Sequence, residues 1–169
     1  MTARGRIIYG LGAACRLAFC LGISLAFAAE TTAGEPSAKD FVAAIYAKYQ
    51  GADPKGVLVD YGFEASLRAY FEPSLATLIR DDRISARIDA GRLDFDPFVD
   101  ARDADLNGLD ISIGIADRGA EQALAIVTFA RGTEKVKQVR LELAKQGREW
   151  RISNIHWGER DLRTLLTGR

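Results

Sequence analysis

From Ser37 onward the hydrophobic positions change their period twice. Phe41, Val42, Ile45, Tyr46 and Tyr49 recur at helical spacing behind Ser37-Ala38-Lys39-Asp40, a capping box with Ser37 as N-cap and Asp40 at N3. Gly51 and Pro54 then break the pattern, so a first helix is predicted over 38–50. A second helical stripe runs through Phe63, Leu67, Tyr70 and Phe71 and continues through Leu75, Leu78, Ile79, Ile84 and Ile88. Pro73 lies inside it and has no N–H to give, which predicts two abutting helices or a kink. Asp81, Asp82 and Arg83 read as a solvated turn or face.

Beyond residue 108 the period becomes two. Leu109, Ile111, Ile113 and Ile115 alternate with Asp110, Ser112 and Gly114, a half-buried strand, and 123–129 is apolar on both faces like a central strand. Arg131-Gly132 and Gln146-Gly147 mark turns on either side of a strand carrying Val139, Leu141 and Leu143. Trp150 and Ile152 then share one phase while Ile155 and Trp157 share the other, which predicts a bulge near Ser153-Asn154. Leu162, Leu165 and Leu166 close the chain as a short helix. Helices first and hairpin-connected strands afterwards predict an α+β fold, with the N-terminal helices packed on a curved antiparallel sheet. Such a cone offers a cavity at its wide end.

The first 28 residues have a different character. Arg4, Arg6 and Arg16 are the only charges before Glu30, and Leu17 begins a run of 12 apolar and small residues that ends in Ala26-Phe27-Ala28. This is the pattern of a secretory signal cleaved after Ala28; a spanning helix needs roughly 20 apolar residues. The polar stretch 29–36 reads as a flexible leader and 37–168 as a single α+β domain. The whole chain carries 23 basic and 23 acidic residues; removing the signal leaves 20 against 23, a net charge of −3. That balance excludes the electrostatic footprint of a nucleic-acid binder. Both cysteines, Cys15 and Cys20, leave with the signal, so no disulfide or cysteine nucleophile is expected in the mature protein. Lipid attachment at Cys15 is disfavoured, because Gly12 stands where a branched aliphatic residue belongs. The expected location is periplasmic or secreted, with no stable membrane span after signal removal.

Candidate chemistry is sparse. Asp94 and Asp96, two apart in an extended piece, would share one face and could hold one proton between them as an acid–base pair. Asp96-Pro97 equally fits a turn that ends the strand. Asp103, Asp105 and Asn107 before Gly108 resemble the first half of a calcium loop, but position twelve, where a bidentate acid belongs, is Gly114. His156, the only histidine, is predicted to point away from the core joined by Ile155 and Trp157, and no G-x-S-x-G supplies a nucleophile for it. Tyr46 and Trp157 could line a pocket, though core packing explains both; Tyr70 could donate a hydrogen bond there. No phosphate loop is present and no cofactor is expected.

FVAAIYAKY at 41–49, YFEPSLATLI at 70–79, LDFDPFVDARD at 93–103 and EWRISNIHW before the leucine-rich ending together resemble a bacterial envelope family, domain of unknown function 3828. The resemblance implies an exported or lipid-anchored protein with a cystatin-like cone similar to nuclear transport factor two. It implies no reaction, so no catalytic residue is carried over. The expected role is a small binding or accessory domain for a protein partner or small ligand, non-enzymatic on balance. The alternatives are a cone-pocket enzyme using Asp94 and Asp96, or an inhibitor or immunity protein for an envelope-acting toxin.

Overall fold

A computed structural model of the chain describes residues 35–50, 64–88, 91–102, 106 and 108–168. Helix α1 spans Ala38–Ala47, α2 Glu64–Tyr70, α3 Pro73–Ser85 and α4 Leu162–Thr167. The strands are β1 Asp110–Asp117, β2 Gln122–Arg131, β3 Glu134–Gln146, β4 Glu149–Trp157 and β5 Arg160–Asp161. They form one antiparallel sheet in the order β1-β2-β3-β4-β5, a meander whose neighbours are consecutive in sequence. The architecture is α+β, as the change of period predicts. No helix of the described residues is long and apolar enough to cross a membrane.

Local chemistry explains the element ends. The capping box is complete: Asp40 N donates to Ser37 Oγ at 3.1 Å, and Ser37 N donates to Asp40 Oδ2 at 3.2 Å. The helix it starts ends at Ala47, three residues before the predicted limit, and turns carry the chain on to Gln50. Pro73 starts α3 at its first turn, where a missing N–H costs nothing, so the stripe is two abutting helices and not one kinked helix. The stripe's extension through Ile84 and Ile88 is corrected: α3 ends at Ser85, Ile84 is exposed, and Ile88 is 92% exposed. Glu35 pairs with Lys145 at 3.2 Å and Arg148 at 2.8 Å at the β3–β4 hairpin, and residues 29–34 of the leader lie outside the described residues.

The core is one cluster. Val42, Ile45, Tyr46 and Tyr49 from α1 and its exit turn meet Phe71, Leu75 and Ile79 from the α2–α3 region. These pack on Ala125, Val127 and Phe129 of β2, Val139, Leu141 and Leu143 of β3, and Ile152, Ile155 and Trp157 of β4. The predicted bulge is present: Glu142 pairs with Asn154 but Leu143 pairs with Ile152, so Ser153 is the extra residue. It lets Ile152 and Ile155, three apart, both face the core at zero exposure. His156 falls on the opposite face, as its neighbours predict.

Candidate functional site

The densest set of buried polar contacts lies where the 91–102 segment enters the core. Asp82 of α3 directs it, accepting from Arg92 N at 2.9 Å and Leu93 N at 3.1 Å. The chain then closes on itself: Asp96 N donates to Ala101 O at 2.8 Å, and Phe98 N donates to Asp96 Oδ1 at 2.9 Å. Pro97, fixed near its preferred φ, suits the turn. Asp100 completes the loop at φ 49°, a left-handed position that aspartate tolerates better than most residues. Lys137 Nζ donates to its carbonyl at 2.6 Å, and Arg160 lies 3.2 Å from its carboxylate.

Three side chains from outside the loop reach its buried tip. Tyr49 donates its hydroxyl to Asp96 Oδ2 at 2.7 Å, Tyr46 donates to Phe98 O at 2.8 Å, and Trp157 Nε1 donates to Pro97 O at 2.7 Å. The spacing of three places both tyrosines on one side of the α1 region. Phe98, with no exposure, fills the space between Tyr46, Tyr49 and Phe71 at ring separations of 6.4, 6.5 and 6.0 Å. Trp157 meets Phe95 edge-on at 5.0 Å. Asp96 is only 4% exposed, and burial pushes its carboxyl above the usual aspartate value, against the hydrogen bonds from Tyr49 and Phe98 N. Burial, with the Asp96 charge second, raises the Tyr46 hydroxyl well above its ordinary value. Both carboxylate oxygens of Asp96 are thus engaged within the protein's own fold.

The expected pairing of Asp94 with Asp96 does not form. Asp94 is exposed and ion-paired with Arg102, while Asp96 turns inward, because residues 96–101 make a closed turn and not an alternating strand. Tyr70 is half-buried and accepts from Lys48 Nζ, whose ammonium also lies 4.9 Å from the ring centre. His156 Nε2 is 3.1 Å from Glu142 Oε1 without hydrogen-bond alignment, on the sheet face opposite Ile155 and Trp157. Tyr46 and Trp157 belong to the core cluster. Asp103, Asp105 and Asn107 lie outside the described residues, as do Ala28 and Cys15; Gly114, the twelfth position of the would-be calcium loop, lies within β1. Among the described residues no group of three His, Cys, Asp or Glu could hold a metal ion.

Two structural polar residues escape a reading by motif. Asn154, 8% exposed, accepts at Oδ1 from Ile155 N at 3.0 Å and Arg163 N at 3.2 Å, and donates to Asp161 Oδ1 at 3.0 Å. Arg163 donates to Ser153 O at 2.6 Å, Glu72 Oε1 at 2.8 Å and Ser74 Oγ at 2.7 Å, tying the bulge to the start of α3. Their only sequence signal is the phase change that predicts the bulge.

Among the described residues, grooves open on the outer surface. One of about 380 Å³ lies beside Trp157, Arg160 and Leu165. A second, of about 420 Å³, runs between Arg68, Arg80 and Arg151, and a third, of about 680 Å³, lies between the start of α1 and β1. Of the residues nominated from sequence, only Trp157 lines any of these three. No family model, curated protein or solved structure matches the chain.

Proposed function

We propose that the chain is an exported binding or accessory protein of the bacterial envelope that works through its outer surfaces and not through chemistry in the space between helices and sheet. One observation carries the choice between binding and catalysis. Asp96 spends its carboxylate on Tyr49 and Phe98 N, while Tyr46 and Trp157 spend their polar atoms on the 96–101 turn and their rings on the core. A general acid must reach the proton-accepting atom of a substrate within hydrogen-bond distance, and Asp96 in this fold reaches Tyr49 and Phe98 N. Asp94, its expected partner, pairs with Arg102 at the surface. The assignment to the envelope rests on the arginine-flanked apolar leader and its Ala26-Phe27-Ala28 ending, with the four-segment resemblance in support.

The test of export is fractionation of the full chain, carrying a C-terminal tag, from a Gram-negative host, followed by N-terminal sequencing. The expected result is a periplasmic or secreted product beginning at Ala29. A full-length cytoplasmic protein beginning at Met1 would contradict the proposal, and a fatty-acylated Cys15 would replace the soluble form with an anchored one.

A further inference from the structure

β1 is the last strand of the sheet on one side, and its eight residues, DISIGIAD, contain no proline or lysine. Edge strands are usually protected by such residues, by bulges or by a cover. The β1–β2 register runs without a shift from Asp110 to Asp117, and no described strand pairs with the other side of β1. The open groove of about 680 Å³ beside α1 is lined by Ile113, Gly114, Ile115 and Asp117.

The direction of the β1 backbone groups that no described strand pairs follows from one hydrogen bond. Arg118 N donates to Gln122 O at 2.9 Å, and continuing the register makes these two residues opposite each other. In an antiparallel ladder hydrogen-bonded and non-bonded pairs alternate, so the even-numbered residues of β1 bond to β2. Ile111, Ile113, Ile115 and Asp117 therefore aim their N–H and C=O groups at the edge away from β2. The side chains of the three isoleucines, on the core face, are only partly buried.

We infer that β1 pairs antiparallel with β1 of a second copy about a two-fold axis through Ile113, joining two sheets into one. This register places Ile113 opposite Ile113 and Ile111 opposite Ile115, so the outward-pointing N–H and C=O groups meet their complements in hydrogen-bonded pairs. The isoleucine stripes become continuous across the junction. On the other face the opposed residues are small, Ser112 against Gly114 and Asp110 against Ala116. Asp110 lies diagonal to Arg118 of the second copy, with diagonal neighbours ~7–8 Å apart at Cα and within reach of a long side chain. Arg118 is 51% exposed and on that same face, 3.8 Å from Glu142. The symmetry produces two such opposite-charge pairs, which removes the repulsion that two acid-ended strands would otherwise feel. A one-residue slip would put the isoleucines on the wrong face.

The test is sedimentation velocity on the full chain over a wide concentration range, with hydrogen exchange at low and high concentration. A concentration-dependent dimer is expected, because an edge pairing is a small interface. The amides of Ile111, Ile113 and Ile115 should gain protection as the dimer forms. Asp110→Arg or Arg118→Asp alone should weaken association by roughly tenfold, and the two together should restore it. A monomer at all concentrations, including one that takes up a foreign extended peptide at β1, would overturn the inference. So would a dimer whose β1 amides stay unprotected or whose association ignores the charge exchange. Circular dichroism establishes that each variant is folded, and the exchange measurement on the unaltered chain needs no variant.

Discussion

Asp96→Ala is expected to destabilise the protein by roughly 3 kcal/mol or more, because it removes the acceptor of both the Tyr49 hydroxyl and the Phe98 N–H, at about 1–3 kcal/mol for each buried hydrogen bond broken. Urea unfolding followed by circular dichroism measures the loss. Asp96→Asn, which retains an oxygen for Phe98 N and an amide for Tyr49, should cost far less. It also isolates the charge. The folded carboxyl titrates above its ordinary value of 3.8, burial being the main cause. A raised pKa means that the folded state holds the proton more tightly than the unfolded chain. Its contribution is fully present below the unfolded value and is lost as pH rises through the folded one. Relative to Asp96→Asn, the natural protein should therefore lose stability as pH climbs above 3.8.

Trp157→Ala should be the second large effect, about 3–5 kcal/mol by comparison with other buried aromatic truncations. The indole is 5% exposed, packs edge-on against Phe95 at 5.0 Å and holds Pro97 O at 2.7 Å. Trp157→Phe separates these contributions, keeping a ring beside Phe95 while removing the N–H; its expected cost is about 1–3 kcal/mol from the stranded carbonyl. Thermal melts of the two variants measure both. A tryptophan held mainly for ligand contact would leave the melting temperature nearly unchanged when truncated.

Sequence periodicity predicts the elements here because the fold buries nearly every stripe it contains. The capping box at Ser37, the break at Pro73 and the bulge at Ser153 each depend on interactions between residues close in sequence or on a phase that must match one core face. Ile84 and Ile88 mislead because helical spacing records a face without revealing whether anything covers it, and nothing in their neighbourhood buries them. Asp94 and Asp96 mislead for a related reason. Alternation implies a shared face only while the backbone stays extended, and the Asp96-Pro97 turn ends that regularity one residue too soon. The polar brace itself is harder to read. Tyr49 and Asp96 are 47 positions apart, and Trp157 is 60 from Pro97, so their contacts are set by tertiary packing that no local pattern encodes.

Asp96 braces the core through Tyr49. A double-mutant cycle of Tyr49→Phe and Asp96→Ala, read as unfolding free energies of the natural chain, both single variants and the double variant, tests it directly. The predicted coupling is about 1–3 kcal/mol, because the second substitution removes a group the first has already stranded. Losses that simply add would contradict it.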